Sequence, residues 1–165
     1  MTSSTTTLSP TRATGRGSLW LLAVILTCIG LLDAAYLTYT KVANVEVACP
    51  QGAVLNCDIV QSSIYSTIGP IPIQFLGLAA YVVILAVLLL ETRVPLFEAN
   101  GKLIVFGMTL FGFLYSAYLT GIEAFVLHTW CPYCVVSAVA MTLLFVVSII
   151  RVWRSFSVPA ASEED

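Results

Sequence analysis

The sequence has few charged residues and only one histidine. Charged residues make up 10% of its 165 residues, against about 25% in an average soluble domain. Hydrophobic residues make up 59%, and the mean hydropathy is +0.96. A soluble domain of this length could not bury so much apolar side chain, because its surface is too large for its volume. The composition therefore excludes a soluble enzyme and a disordered chain, and it indicates a membrane protein.

Basic residues are also scarce. The chain has seven Lys and Arg residues in total and a net charge of −2. A protein that binds nucleic acid needs a basic surface to neutralise phosphates, so nucleic acid is not an expected partner. The lipid bilayer is the expected environment.

Four apolar stretches are long enough to cross a bilayer, which takes about 20 residues of helix. They cover residues 19–39, 73–90, 103–127 and 131–153. None has a polar face wide enough to meet water. The first is longer than the apolar region of about 7–15 residues in a signal peptide, so we expect it to be retained. The expected fold is an all-α membrane protein, a four-transmembrane-helix bundle over residues 18–154.

The basic residues around these stretches are unevenly distributed. Six of the seven fall on one side of the membrane: Arg12, Arg16, Arg93, Lys102, Arg151 and Arg154. Only Lys41 falls on the other side. Because basic loops stay in the cytoplasm, we expect both termini to be cytoplasmic and the loop 42–72 and the turn 128–130 to be extracytoplasmic.

The two ends of the chain are polar. Residues 1–17 are rich in Ser and Thr without an apolar period, which predicts a disordered N-terminal tail. Residues 155–165 form a short polar tail that ends in three acidic residues. Both tails are expected on the cytoplasmic side.

The five cysteines are Cys28, Cys49, Cys57, Cys131 and Cys134. The last four form two pairs, one in the large loop and one at the outer end of the fourth stretch. Both pairs lie on the predicted extracytoplasmic side, where disulfides persist. Cys28 lies in the middle of the first stretch, and we expect it to act as a small apolar packing residue.

The C-x-x-C motif formed by Cys131 and Cys134 opens the fourth predicted helix. A thiol at a helix N-terminus has a lowered pKa, because the free N–H groups and the dipole stabilise its thiolate. Cys131 is better placed for this effect, and Cys134 lies one turn closer to lipid. Thiol–disulfide exchange between the two pairs would pass electrons from an external thiol to a lipid-soluble oxidant at Cys134.

Two other uses of these cysteines remain open on this pattern alone. A structural loop disulfide beside an incidental C-x-x-C would make the protein a four-span membrane scaffold. A four-cysteine zinc site would need all four thiolates to converge, and the loop pair has seven intervening residues where zinc motifs have roughly two to four. We therefore expect no metal.

The motifs together resemble the vitamin K epoxide reductase (VKOR) family in its bacterial form. The matching features are Cys49-x7-Cys57, Asp58-Ile59-Val60-Gln61-Ser62-Ser63, Gly69-Pro70-Ile71-Pro72 and the final Cys131-Pro132-Tyr133-Cys134. The resemblance covers about residues 19–153. DsbB-type disulfide generators also use two outer cysteine pairs, but there the C-x-x-C comes first, whereas here it comes last. One departure is Ala138, where vertebrate members have tyrosine.

The resemblance implies an oxidoreductase that passes electrons through both pairs to a quinone (menaquinone, ubiquinone, phylloquinone or a related one). It also implies a bacterial inner or plasma membrane. Cys49 and Cys57 would accept electrons from a thioredoxin-fold partner. Many bacterial members carry such a domain, which this sequence does not contain. We therefore expect a separate extracytoplasmic partner protein, the alternative being that the sequence is a piece of a longer chain. Reduction of vitamin K epoxide by the same thiols stays open.

The resemblance further assigns roles within each pair. Cys57 would attack Cys131 and release Cys134 beside the quinone. Cys49 lies further up a loop that contains Pro50, Gln51 and Gly52, and we expect it to be freer to meet an outside partner.

Residues 58–66 are expected to form a short half-helix, with Ile59, Val60 and Ile64 toward lipid or the bundle. The family places such a half-helix over its quinone pocket. Ser63 matches a serine that lines this pocket. The alternative is a serine that bonds only to nearby backbone.

Asp33 and Glu123 are the acidic residues inside the predicted spans. Buried carboxylates in a membrane are costly and often functional, and both lie toward the cysteine side. They are candidates for a proton relay, the alternative being a hydrogen bond to a neighbouring helix. His128 could stabilise the Cys131 thiolate or simply be solvated at the interface.

Topology reporters test the orientation. Fusions after Gly17, Asn100 and Arg154 should read cytoplasmic, and a fusion within residues 51–54 should read external, because the six basic residues hold their side inside. An external reading at Asn100 would contradict the four-span arrangement and separate the cysteine pairs.

Overall fold

Four long helices form the protein in the computed structural model, which describes residues 14–49, 52 and 55–156. They are α1 (Thr14–Ala43), α3 (Ile73–Leu90), α4 (Pro95–Ile122) and α5 (Pro132–Phe156). Helix α1 packs against α3 and α5, and α4 packs against the same two helices. The four helices therefore close into a ring, and the predicted four-helix membrane bundle is confirmed.

Each long helix contains a stretch apolar enough to cross a bilayer. The stretches are Gly17–Ala43, Ile73–Leu90, Asn100–Leu127 and Pro132–Phe156. The third includes one π-helical turn, Glu123–Leu127, which continues α4. Many large apolar side chains face outward, among them Leu32 and Phe111, as expected of a surface in contact with lipid.

The helix ends differ from the tails predicted from composition. Helix α1 begins at Thr14, so residues 14–17 are helical, although composition assigned them to a disordered tail. Helix α5 continues to Phe156, past the predicted boundary at residue 155. The remainder of both predicted tails, residues 1–13 and 157–165, lies outside the described residues.

The segment between α1 and α3 carries a short helix, α2 (Cys57–Ser62), and a 3-10 turn, Ile64–Ser66. The predicted half-helix over 58–66 is thus two short elements, of which the first starts at Cys57. Val60 is buried, whereas Ile59 and Ile64 are exposed at the protein surface.

A tight hairpin then leads into α3. Strand β1 (Thr67–Ile68) pairs antiparallel with β2 (Ile71–Pro72). Gly69 in the intervening turn has φ +62°, a conformation that glycine adopts without steric cost. The Gly-Pro-Ile-Pro motif therefore reverses the chain directly before α3.

The helix interfaces combine close backbone approach with buried polar contacts. Gly30 of α1 leaves no room for a side chain against the ring of Tyr81 in α3, as is usual for small residues between membrane helices. At the end of the bundle away from the cysteine pairs, Arg151 bonds Glu91 at 2.7 Å, and both side chains are buried. These contacts join α1 to α3 and α3 to α5, and so fix the relative positions of the helices that flank the loop elements.

Candidate redox site

A short backbone pairing joins the loop to the start of α5. Leu55 and Trp130 form a parallel β-bridge, and the Asn56 N–H donates to the Trp130 carbonyl at 3.2 Å. A cysteine follows on each side of this pairing, Cys57 on the loop and Cys131 before α5. Their sulfur atoms lie 3.6 Å apart, so the pairing brings one member of each cysteine pair into contact.

The start of α2 is held by its own cap. The Asn56 side chain accepts hydrogen bonds from the N–H groups of Asp58 and Ile59 at 3.1 and 3.2 Å. Asparagine is among the preferred caps, and an acidic residue such as Asp58 in the first turn suits the helix dipole. The backbone around Cys57 is therefore ordered from both the pairing and the cap.

The loop cysteines are joined to each other. Cys49 and Cys57 form a disulfide with a Cα–Cα distance of 6.1 Å. Cys57 is 1% exposed and Cys131 is 0% exposed, whereas Cys49 is half-buried. Cys57 is thus the inner member of the loop pair and Cys49 the more accessible one.

Two tyrosines hold the segment before Cys49. The Ala48 N–H donates to Tyr36 Oη at 3.1 Å, and Tyr133 Oη donates to the Ala48 carbonyl at 2.8 Å. The two rings are in contact, with centroids 5.2 Å apart. The residue before Cys49 is therefore held in place, although Cys49 was expected to be the freer member of the loop pair. Pro50 and Gln51 lie outside the described residues.

Cys131 lies directly before the first residue of α5. Its carbonyl accepts the first helical hydrogen bond, from the Val135 N–H at 3.0 Å. The Cys134 thiol is in hydrogen-bond contact with the Cys131 sulfur, and this contact lowers the pKa of Cys131 from its usual value. The predicted order, with Cys131 at the helix start and Cys134 one turn deeper, is present in the structure.

The π-helical turn brings Glu123 to the start of α5, beside Cys131. Glu123 is 3% exposed, and its Oε2 accepts the Cys131 N–H at 3.2 Å. The Glu123 carboxylate also lies near the Cys134 thiol, with which it interacts electrostatically. Glu123 is therefore bonded to one member of the C-x-x-C motif and close to the other.

His128 ends the π-helical turn in a left-handed conformation, with φ 51°. Its side chain is exposed, unlike the buried sulfur of Cys131. The exposed position favours the solvated alternative for this histidine.

A cavity of about 690 Å³ opens between the helices and beneath α2. This volume lies within the usual range for small-molecule sites, about 300–1,000 Å³. Among its lining residues are Cys134, Glu123, Asp33, Ser63 and Ala138. The C-x-x-C motif therefore faces the loop pair through Cys131 and the cavity through Cys134.

Two other candidate residues, Ser63 and Asp33, lie on the cavity wall and differ in their hydrogen bonding. Ser63 Oγ donates to the Val60 carbonyl at 2.8 Å, so its hydroxyl proton is used by nearby backbone. Asp33 Oδ2 is buried and has no hydrogen-bond partner among the described residues.

Cys28 is half-buried within α1, away from both pairs. Within the described part of the chain, no cluster of three or more His, Cys, Asp and Glu residues could hold a metal.

Comparison with known proteins agrees with this architecture. Residues 21–149 match the vitamin K epoxide reductase family, and the chain belongs to that family. It is also 35% identical over 124 residues to the thiol-disulfide oxidoreductase LTO1 of Arabidopsis thaliana. The match covers 72% of this chain and 33% of the relative, so the chain spans about a third of that protein's length.

Family membership and the four apolar helices make the chain an integral membrane protein of an oxidoreductase family. The family resemblance expected from the cysteine motifs is thereby confirmed. The sequence indicated no role for Tyr36 or Tyr133, although Tyr133 lies within the C-x-x-C motif, because neither residue differs in type from an ordinary interfacial tyrosine.

Hydrogen exchange tests the role of these tyrosines. Tyr36→Phe removes the acceptor of the Ala48 N–H, so this amide should exchange about five times faster, as expected for loss of a hydrogen bond worth about 1 kcal/mol. Tyr133→Phe should loosen the same segment by removing the bond to the Ala48 carbonyl. Tyr39→Phe, an exposed position on the same helix, serves as the control. Unchanged exchange in both variants would contradict the assignment.

Proposed function

We propose that this protein oxidises a thioredoxin-fold dithiol partner and passes its electrons through the two cysteine pairs to a quinone. The observation that carries the proposal is the 3.6 Å contact between the sulfurs of Cys57 and Cys131. A contact of this kind is what direct exchange between the two pairs requires. Cys134, on the cavity wall, gives the second pair access to a small apolar substrate.

The first exchange takes place at the loop. A partner thiolate attacks Cys49, the more accessible sulfur, and breaks the Cys49–Cys57 bond. The second partner thiol then displaces Cys49, so the partner leaves as a disulfide and both loop cysteines are thiols. Two electrons and two protons have entered the protein.

The second exchange takes place between the pairs. Cys57 attacks Cys131 of an oxidised C-x-x-C, which forms a Cys57–Cys131 disulfide and releases Cys134 as a thiolate. Cys49 then attacks Cys57, restores the loop disulfide and releases Cys131. This step would leave a loop disulfide beside two free thiols, which is the arrangement of Cys49–Cys57, Cys131 and Cys134 in the structure.

The cavity residues then serve the final transfer. The Cys131–Cys134 dithiol becomes a disulfide again and gives up two electrons and two protons. Glu123, which lines the same cavity as Cys134 and interacts electrostatically with it, is placed to accept the thiol proton. Asp33, with its free Oδ2 on the cavity wall, is placed to supply a proton to a bound acceptor.

The cavity suits a quinone head group in size and in chemistry. Its lining is mainly apolar, with a few buried polar atoms that lack partners among the described residues: Asp33 Oδ2, Gln61 Nε2 and Gln74 Oε1. A quinone supplies a two-electron acceptor with two ring oxygens. The residues present therefore fit such a group, and a vitamin K epoxide would use the same thiols.

The remaining parts of the proposal rest on the charge distribution and on the resemblance to bacterial members of the family. The six-to-one distribution of basic residues supports cytoplasmic termini and extracytoplasmic cysteine pairs. The partner is proposed to be a separate thioredoxin-fold protein on that side, and the membrane a bacterial inner or plasma membrane.

Cysteine variants of the purified full chain test the relay, with loss of quinone absorbance as the readout. Cys131→Ala or Cys134→Ala should abolish reduction of a short-chain naphthoquinone by any reductant. Cys49→Ala or Cys57→Ala should abolish it with reduced thioredoxin but leave part of it with dithiothreitol. The small dithiol can reach the C-x-x-C motif directly, whereas a protein cannot.

The control is Cys28→Ala, which should retain nearly full activity because Cys28 only fills space in α1. Equal loss in all four relay variants with dithiothreitol would contradict a two-stage relay. A wild-type protein whose loop disulfide never exchanges with added dithiol would instead support the four-span scaffold.

A further inference from the structure

Two glutamines on the cavity wall form an incomplete hydrogen-bonded pair. Gln74 Nε2 donates to Gln61 Oε1 at 3.4 Å. The other atom of each amide, Gln61 Nε2 and Gln74 Oε1, is buried and has no partner among the described residues. Gln61 is only 8% exposed, and both residues line the cavity.

Unpaired amide atoms of this kind are unfavourable in a protein interior. A buried donor or acceptor without a partner keeps the full cost of its desolvation, and buried side-chain polar atoms usually have a partner. Two such atoms on one cavity wall, beside the thiol of Cys134, therefore call for a ligand that supplies the missing partners.

The pair offers the same chemistry whichever way its amides are assigned. If both amides are rotated, Gln61 donates to Gln74, and the open atoms become Gln61 Oε1 and Gln74 Nε2. In either arrangement one N–H donor and one carbonyl acceptor remain free. Both glutamines line the cavity, so the free donor and the free acceptor belong to the same part of its wall.

We propose that the Gln61–Gln74 amide pair binds a ring oxygen of the quinone in both of its oxidation states. The free N–H donates to the carbonyl oxygen of the quinone. The free carbonyl accepts from the hydroxyl of the quinol after the electrons have been transferred at Cys134. The inference rests on the proposed function and adds the residues that recognise the acceptor.

Several neighbouring hydroxyls on the same wall are already used. Ser63 donates to the Val60 carbonyl, and Ser66 donates to the carbonyls of Gln61 and Ser63. Tyr81 Oη is hydrogen-bonded to Ser137. The two glutamine amides are therefore better placed than these hydroxyls to supply directional contacts to a ring oxygen.

The pair also lies where binding can be coupled to the thiols. Gln61 is one helical turn after Cys57 in α2, and Gln74 is in the first turn of α3. A ligand held by both residues would bridge the two helices close to the contact between Cys57 and Cys131.

Steady-state kinetics of Gln61→Leu and Gln74→Leu test the proposal in the full chain. The KM for a short-chain naphthoquinone should rise about tenfold in each variant, the loss expected for one ligand hydrogen bond. The KM for dithiothreitol should not change. Calorimetric titration of the unreacted protein with the same naphthoquinone should show the same loss of affinity. Ser62→Ala, an exposed residue of α2, is the matched control and should leave both constants unchanged.

Thermal unfolding separates a binding role from a structural one. Because each substitution removes an unsatisfied buried group, the double Leu variant should have a Tm equal to or above that of the wild type. A lowered Tm with an unchanged quinone KM would overturn the proposal and assign the pair a structural role. Unchanged quinone affinity in variants of an active wild type would overturn this inference alone. A wild type that binds no quinone would overturn the proposed function as well.

Discussion

The backbone pairing of Leu55 and Asn56 with Trp130 is the constraint on which the rest of the site depends. The cysteines it brings together, Cys57 and Cys131, are 74 positions apart in the chain. Bringing two such distant segments of the chain together has an entropic cost. One β-bridge and one further hydrogen bond join the segment that leads into α2 to the segment that leads into α5, so a single contact orders the start of both helices. The sulfur contact then follows from the chain direction, because a cysteine is the next residue in each strand after the pairing.

Burial gives this contact its selectivity. Cys57 and Cys131 are both essentially inaccessible, so an outside thiol cannot easily reach either sulfur. Exchange is controlled by which sulfur an attacking thiolate can reach. Access from outside is therefore through Cys49, and access from the cavity is through Cys134. Separate entry and exit points on either side of a buried contact are what a directional relay requires.

The sequence predicted the features that depend on hydropathy and residue type. Apolar length located the four helices, and the distribution of Lys and Arg grouped Cys49, Cys57, Cys131 and Cys134 at one end before any contact was known. The helix ends were less predictable, because residues 14–17 extend α1 despite a composition typical of a tail.

Hydropathy and residue type did not predict which side chains contact each other. Glu123 was predicted as an acid near the cysteines, but its bond to the Cys131 N–H depends on a π-helical turn that hydropathy does not encode. The same holds for Gln61 and Gln74, since nothing in their spacing predicts that their amides meet. The position of the half-helix was predicted, but its division into α2 and a 3-10 turn was not.

The proposed relay requires that Cys57, and not Cys49, exchanges with Cys131. The most direct test is peptide mapping by mass spectrometry of non-reduced Cys49→Ala protein during slow turnover with dithiothreitol. Without Cys49 the mixed disulfide cannot be resolved from the loop side, so a Cys57–Cys131 link should accumulate. The matched Cys57→Ala variant should give little Cys49–Cys131 link. Finding only Cys131–Cys134 with free Cys57, or equal yields of the two mixed disulfides, would contradict the account.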